Sequence, residues 1–375
     1  LREAALEALQ NLNRETPPSD PALAKLASMG TQLWLDTGQL DEAAALWKAE
    51  FSALTTNNTL ANQVVQTGVL DDVAADAVKR IKDAAPGISG DELAMELGFV
   101  INCHVALRLV RAFDAYVSVE LHPSIAEDVD RSVEYARRYH SICPERFIIK
   151  IPLTPEGYCA VARVCPGGVP VNYTLGFSAR QNYIAALMSG PTYVNVFLGR
   201  LNAVVGDNGM GDPKYIGEKA TMATQMALRE LRDAGRARSR LIAASMRSAS
   251  QVCDLAGVDV YTMPPKVARD FLAAGHAPDS LASQLGRDFP VKLANPEAEA
   301  AVEPLWAISD AVKALGDAVA GKGASMTGKD LRQADKDTGA RLFHAFTDEE
   351  KAVIRADGKI PVMSKWLGSG IALDD

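Results

Sequence analysis

Lys150 lies inside the apolar run Phe147-Ile-Ile-Lys-Ile-Pro152, an unusual place for a charge. In a strand alternate side chains share a face, so Lys150 falls with Ile148 and Pro152. If that face is an interior, burial strips hydration from an ammonium and favours the neutral amine, a nucleophile that can attack a carbonyl. The competing reading is a strand lysine whose head snorkels to water. Two carboxylates stand in comparable places, Glu120 at the end of Tyr116-Val-Ser-Val-Glu120 and Asp36 at the end of Leu33-Trp-Leu-Asp36. Together with a lysine they can divide acid and base work, each with an affinity for protons set by its surroundings. Taken singly, Asp36 could cap a helix and Glu120 could pair with a surface cation. Arg200 and Arg247 follow two further apolar runs, with Ser245 just before the second arginine. Guanidinium forks and a hydroxyl suit phosphate oxygens, and a structural ion pair is the alternative for either arginine.

These residues must be held by something, and the chain shows what. Short β-rich runs alternate with helical patterns: Gln32–Asp36, Ser52–Thr56, Ala115–Glu120, Phe147–Ile151, Pro170–Leu175, Thr192–Phe197, Arg240–Ser245 and Val258–Thr262. Helical patterns fall at Ile125–His140, Pro155–Cys165, Ala179–Ser189, Lys214–Ala234 and Ser248–Ala256. Eight alternations predict an α/β fold closed as a (β/α)₈ TIM barrel rather than an open doubly wound sheet. Functional groups in such a barrel stand at the C-terminal ends of the strands. Nearly every run ends in one: Asp36, Thr55 to Asn57, Glu120, Lys150, Asn172 with Thr174, Asn195, Arg200 just past its run, and Ser245 with Arg247. The expected organisation is an N-terminal helical segment over 1–30, the barrel over 31–295 and a mostly helical extension over 296–375. That extension is expected to pack on the barrel, with an Ala-rich helix at Glu303–Val319 and a linker at Gly321–Gly328.

Composition narrows the function. With 48% hydrophobic and 23% charged residues the chain is an ordinary globular one. A net charge of −8 argues against nucleic acid or an anionic membrane as the main partner, so an anionic ligand would need local cations. No run of about 18 uninterrupted apolar residues is present, and the opening residues read as an amphipathic helix rather than a signal peptide. Five scattered cysteines without a CxxC pair fit reduced, buried, inert thiols and a cytoplasmic location. The five histidines are widely spaced and offer no metal-ligand cluster; His122, two residues past Glu120, is assigned a supporting or structural role. No Gly-x-Gly-x-x-Gly or P-loop follows any run, so neither a metal nor a cofactor is expected.

The residues, in order, resemble the transaldolases. The matching segments are Leu35-Asp-Thr-Gly38, Leu54-Thr-Thr-Asn57, Val119-Glu120, Ile148-Ile-Lys-Ile-Pro152, Val171-Asn-Tyr-Thr-Leu-Gly-Phe-Ser178, Phe197-Leu-Gly-Arg200 and Ala244-Ser-Met-Arg247, spanning about Gln32 to Phe271. The resemblance implies Lys150 as the Schiff-base lysine, Asp36 as acid and base for C–C cleavage, and Glu120 with Thr174 holding a catalytic water. It also implies that Thr55, Asn57, Asn172, Asn195 and Phe197 meet the sugar, and that Arg200, Ser245 and Arg247 meet its phosphate. Sugar phosphates are then the partners, with a homodimer as a candidate assembly. The implied activity is dihydroxyacetone transfer between sugar phosphates of the pentose phosphate pathway. The alternatives are a lyase like fructose-6-phosphate aldolase, a transaldolase for a modified sugar such as a sulfonated one, and a sugar-phosphate-binding barrel without catalysis. Phe197 and Glu120 favour transfer, because the related aldolases carry tyrosine and glutamine there. Two positions depart from the family: Asn58 where proline is usual, and Asn195, expected to face the ketose, where a small hydroxyl residue is common.

Overall fold

The computed structural model describes residues 16–358 and 360–375. Its centre is a closed barrel of eight parallel strands in sequence order. They are β1 Gln32–Asp36, β2 Phe51–Thr55, β3 Tyr116–Glu120, β4 Phe147–Pro152, β5 Val171–Thr174, β6 Tyr193–Phe197, β7 Arg240–Ala244 and β8 Val260–Met263. Each lies within two residues of the run predicted for it, and helices connect them.

Alternation along these strands separates two layers. Val117, Val119, Ile149, Ile151, Val171, Tyr173, Val194 and Val196 point outward into the main core beneath the helices. The opposite set points inward: Trp34, Ala53, Ile148, Ile242, Ala244 and Val260 form a separate interior cluster with Tyr193 and Phe197. Trp34 and Tyr193 meet edge to face at 4.8 Å across this interior. The barrel is thus filled with side chains, and the polar residues later on each strand stand above that filling.

Residues 58–113, where alternation offers no strand, form three helices: Asn58–Val65, Asp71–Ala84 and Gly90–Phe113. The last is long and apolar enough by composition to cross a membrane, with a mean hydropathy of 1.6, but 61% of that window is buried inside the molecule. It is a core helix lying on β3.

Three expectations need correction or restriction. Of the leading segment, residues 1–15 lie outside the described residues, and from 16 to 30 the helix is confined to Pro21–Ser28, capped by Asp20. The helix expected at Glu303–Val319 is broken. Pro296–Val302 is helical, Glu303–Leu305 is a 3₁₀ turn around Pro304, and a new helix starts at Asp310. The cause is local: Pro304 lacks an N–H for a continuing helix, and Ser309 instead caps the next one by accepting from Val312 N. In the linker, Gly323–Ser325 is a 3₁₀ turn.

The helix Asp310–Val319 packs on Ala179–Met188, and Gly328–Thr338 packs on Pro155–Val164. Near the C-terminus Asp374 is drawn into a buried bidentate pair with Arg180, Nε at 2.7 Å and Nη2 at 2.6 Å, and its carbonyl accepts from Gln181 Nε2. Arg180 lies at the start of the helix that follows β5, so the extension is tied to a barrel element that borders the mouth.

Candidate active site

Parallel register sets the catalytic candidates side by side: Asp36 opposite Thr55, Glu120 opposite Lys150, Lys150 opposite Asn172, and Pro152 opposite Thr174. Lys150 is 6% exposed, so the buried-face reading holds and the snorkelling one does not. Its Nζ lies 3.6 Å from Glu120 Oε1 and donates to the Thr56 carbonyl at 3.2 Å. Asp36 Oδ1 accepts from Thr55 Oγ1 at 2.6 Å, and that hydroxyl also meets Thr262 Oγ1 at 2.6 Å. Burial pushes the Asp36 carboxyl above its ordinary range, opposed by the charge of Lys150 and the Thr55 hydrogen bond.

Asn172 and Thr174 occupy β5 beside the lysine and are 1% exposed. Asn172 Nδ2 donates to Ser118 Oγ at 3.1 Å, whereas Asn172 Oδ1 and Thr174 Oγ1 are buried and meet no hydrogen-bond partner in the protein. Buried polar atoms rarely stay orphaned, so these two atoms mark where a substrate hydroxyl or a water belongs. Asn57 caps the helix Asn58–Val65, its Oδ1 accepting from Leu60 N, which leaves its amide nitrogen for a ligand. A cavity of about 370 Å³ opens here, lined by Asn57, Glu120, Lys150, Thr174, Phe197 and Arg200 among others.

The loops after β5, β6 and β7 shape the rest. Leu175 and Ser245 take left-handed backbone at φ 61° and 62°, a conformation costly for side chains that carry a Cβ. Asn195 turns its Oδ1 to Gly176 N at 3.0 Å, so that oxygen is already engaged by the protein. The residue expected to face the ketose also anchors the β5 loop. Phe197 stacks edge to face on Phe177 of that loop, 5.9 Å between ring centres. Arg200 stands half-buried with no carboxylate partner among the described residues. Burial and then the Arg247 guanidinium hold its pKa below the ordinary value, a cost that an anion would relieve. Arg247 is exposed, its backbone N held by Gln251 Oε1 at 2.7 Å.

Gly199 is what lets these two loops approach. A Cβ there would lie 2.1 Å from the Ser245 carbonyl oxygen and 2.7 Å from Arg247 Cγ. Gly199→Ala is expected to spread the arginines, raise KM for phosphorylated sugars about tenfold and cost about 1–3 kcal/mol of stability, checked by steady-state kinetics and thermal melts.

Sequence reasoning passed over Ser118 and Thr262, which hold Asn172 and Thr55; both lie on inward positions of their strands, and alternation could have found them. It also passed over the buried Glu218, which accepts from Asn202 Nδ2 at 3.1 Å and Gln251 Nε2 at 2.8 Å and so links the segments behind the two arginines. His122 caps the 3₁₀ turn Pro123–Ile125, its Nδ1 accepting from Ser124 N. No disulfide joins the cysteines, and burial pushes the Cys159 and Cys165 thiols up to about 11 and about 12.

A filled (β/α)₈ barrel thus carries a buried lysine, two carboxylates and two guanidiniums at one mouth. The family model described as transaldolase/fructose-6-phosphate aldolase matches residues 33–317, and the chain belongs to that family. A probable transaldolase of Hyphomonas neptunium is 33% identical over 162 residues, 43% of this chain and 67% of that protein. Transaldolases of Methylococcus capsulatus and Acidobacterium capsulatum are 26% and 27% identical, covering 68% and 67% of this chain and 79% and 76% of their own lengths. The chain is an enzyme, and the names of its relatives place it among the transferases.

Proposed function

We propose that this enzyme is a transaldolase that carries a dihydroxyacetone unit from a ketose phosphate, such as fructose 6-phosphate or sedoheptulose 7-phosphate, to an aldose phosphate of the pentose phosphate pathway. The observation that carries this reading is the position of Lys150 Nζ, buried in the mouth beside Glu120 and under the same cavity as Arg200. The amine adds to the ketose C2 carbonyl, and loss of water leaves an imine. Asp36 takes the proton of the C4 hydroxyl, the C3–C4 bond breaks, and its electron pair flows into the protonated imine. The aldose phosphate leaves. The retained three-carbon unit attacks the acceptor aldehyde, Asp36 returns the proton to the new alkoxide, and water hydrolyses the imine. Thr174 Oγ1, orphaned in the cavity that Lys150 also lines, suits a hydrogen bond to that water, and Asn172 Oδ1 suits a sugar hydroxyl. Arg200 and Arg247, with Ser245, are assigned to the phosphate. This residue set leaves no member of the lysine and carboxylate trio missing, which disfavours a binding barrel without catalysis.

Borohydride added during turnover of fructose 6-phosphate is expected to leave a reduced adduct on Lys150, read by peptide mass spectrometry; an unmodified Lys150 would refute the imine. Whether the unit is transferred or released is read by omitting the acceptor. A transferase then stalls with the unit bound, and a lyase continues to free dihydroxyacetone. The stacked Phe197, without a hydroxyl to protonate the bound carbanion, favours the stalled outcome.

A further inference from the structure

Glu120 is gripped from behind by Asn58. Asn58 is the first residue of its helix, and its backbone N and its Nδ2 both donate to Glu120 Oε2, each at 3.2 Å. Nδ2 also donates to the Leu121 carbonyl at 3.1 Å. Both of its neighbours are acceptors, so the amide can be oriented only one way. The oxygen that points away, Asn58 Oδ1, accepts from Asn102 Nδ2 at 3.2 Å. Asn102 is 8% exposed on the core helix Gly90–Phe113, and its amide also reaches the hydroxyl of the buried Tyr139 at 3.4 Å. The two amides therefore line up with their N–H ends toward the carboxylate, and bonds ordered in this way polarise one another. Oε2 of Glu120 is occupied, and Oε1 is the oxygen that faces Lys150.

We propose that Asn58, oriented by Asn102, is a positioning residue for the imine chemistry: it locks Oε2 of Glu120 so that Oε1 alone exchanges protons with the water that leaves and enters at Lys150. The proposal rests on the reading of Lys150 as the imine former. When water adds to the protonated imine carbon, a C–O bond forms, the C=N π pair moves onto the Lys150 nitrogen, and Oε1 accepts one proton of the water, which leaves a hydroxyl on carbon. In the reverse direction Oε1 returns the proton to the departing hydroxyl. A carboxylate free to rotate would present either oxygen, or neither, at the needed point, and kcat would fall while donor binding stayed the same.

Asn58→Pro is a fold-preserving probe. Proline suits the first position of a helix, and Asn57 already holds the extended backbone, φ −155° and ψ 171°, that a residue before proline adopts. It removes both donors to Oε2. The test measures transfer from fructose 6-phosphate by Asn58→Pro, Asn58→Ala, Asn102→Ala and the double variant Asn58→Ala/Asn102→Ala, beside borohydride trapping in the wild type. The expected result is a kcat lower by about tenfold in Asn58→Pro, about fivefold in Asn58→Ala, which keeps the backbone donor, and about threefold in Asn102→Ala, with KM for the donor within about twofold. The double variant should be no slower than Asn58→Ala, because Asn102 acts only through Asn58. A kcat within about twofold of wild type in Asn58→Pro overturns the proposal, as does a double variant whose loss is the product of the single losses. Should Asn58→Ala not fold, Asn58→Pro and Asn102→Ala decide by the same criteria. An absent adduct on wild-type Lys150 instead sinks the imine reading beneath it.

Discussion

Lys150→Met is expected to lower kcat by roughly five to six orders of magnitude, the scale of loss when a covalent nucleophile is removed. The fold should survive. Lys150 sits among Ile148, Pro152 and their neighbours on an interior face, and methionine has nearly the same length without the charge. What remains would be a barrel with its arginines intact, able to bind a ketose phosphate but not to make its C2 an electron sink. Isothermal titration of fructose 6-phosphate should therefore show binding by Lys150→Met while a coupled transfer assay shows none. Retained transfer by this variant would refute imine catalysis outright.

Asp36→Asn is expected to reduce kcat by about 10²- to 10⁴-fold, since it removes the group proposed to take and return the C4 hydroxyl proton. The same change should stabilise the protein at neutral pH, and the sign follows from burial. The Asp36 carboxyl is raised in the folded protein by desolvation, so the folded state holds this proton more firmly than the unfolded chain does. Its contribution to stability is complete below the unfolded value and is lost as pH rises through the raised folded one. Asparagine keeps an oxygen to accept from Thr55 Oγ1 and has no ionisation to resist. The melting temperature of Asp36→Asn relative to wild type should climb as pH rises from below the ordinary aspartate value through the raised folded one. A flat difference across that range would show that the carboxylate is not strained by burial.

What could be read from the sequence, and what could not, divides along the range of the interactions. The strands were legible because Val-Ser-Val-Glu or Phe-Ile-Ile-Lys-Ile alternates within a few residues, and alternation alone put Lys150 on the face of Ile148, which proves to be interior. Closure followed from counting such units. The amide chain behind Glu120 was not legible, because Asn58 and Asn102 meet across 44 residues and three helices whose packing no local pattern encodes. The link from Glu218 to Gln251 spans 33 residues for the same reason. Asn195 shows a subtler limit. Its strand position placed it toward the sugar, but the choice of partner for its oxygen, Gly176 N, depended on a loop geometry built around a left-handed Leu175. The break before Ser309 is in principle readable, since proline and a capping serine are both punctuation, but the alanines around them favour helix on either side of it.

The side chains that fill the lower barrel, Trp34 edge to face with Tyr193 above all, make the scaffold a cup and not a pipe. A cup has one doorway. For the proposed transfer this imposes an order of events: the aldose phosphate cut from the donor must depart by the mouth before an acceptor can occupy the place it vacates. In that proposal donor and acceptor would take turns at the two arginines assigned to the phosphate, and the reaction would run as two half-cycles joined by the enzyme-bound three-carbon unit. An excess of either sugar phosphate would then crowd out the other.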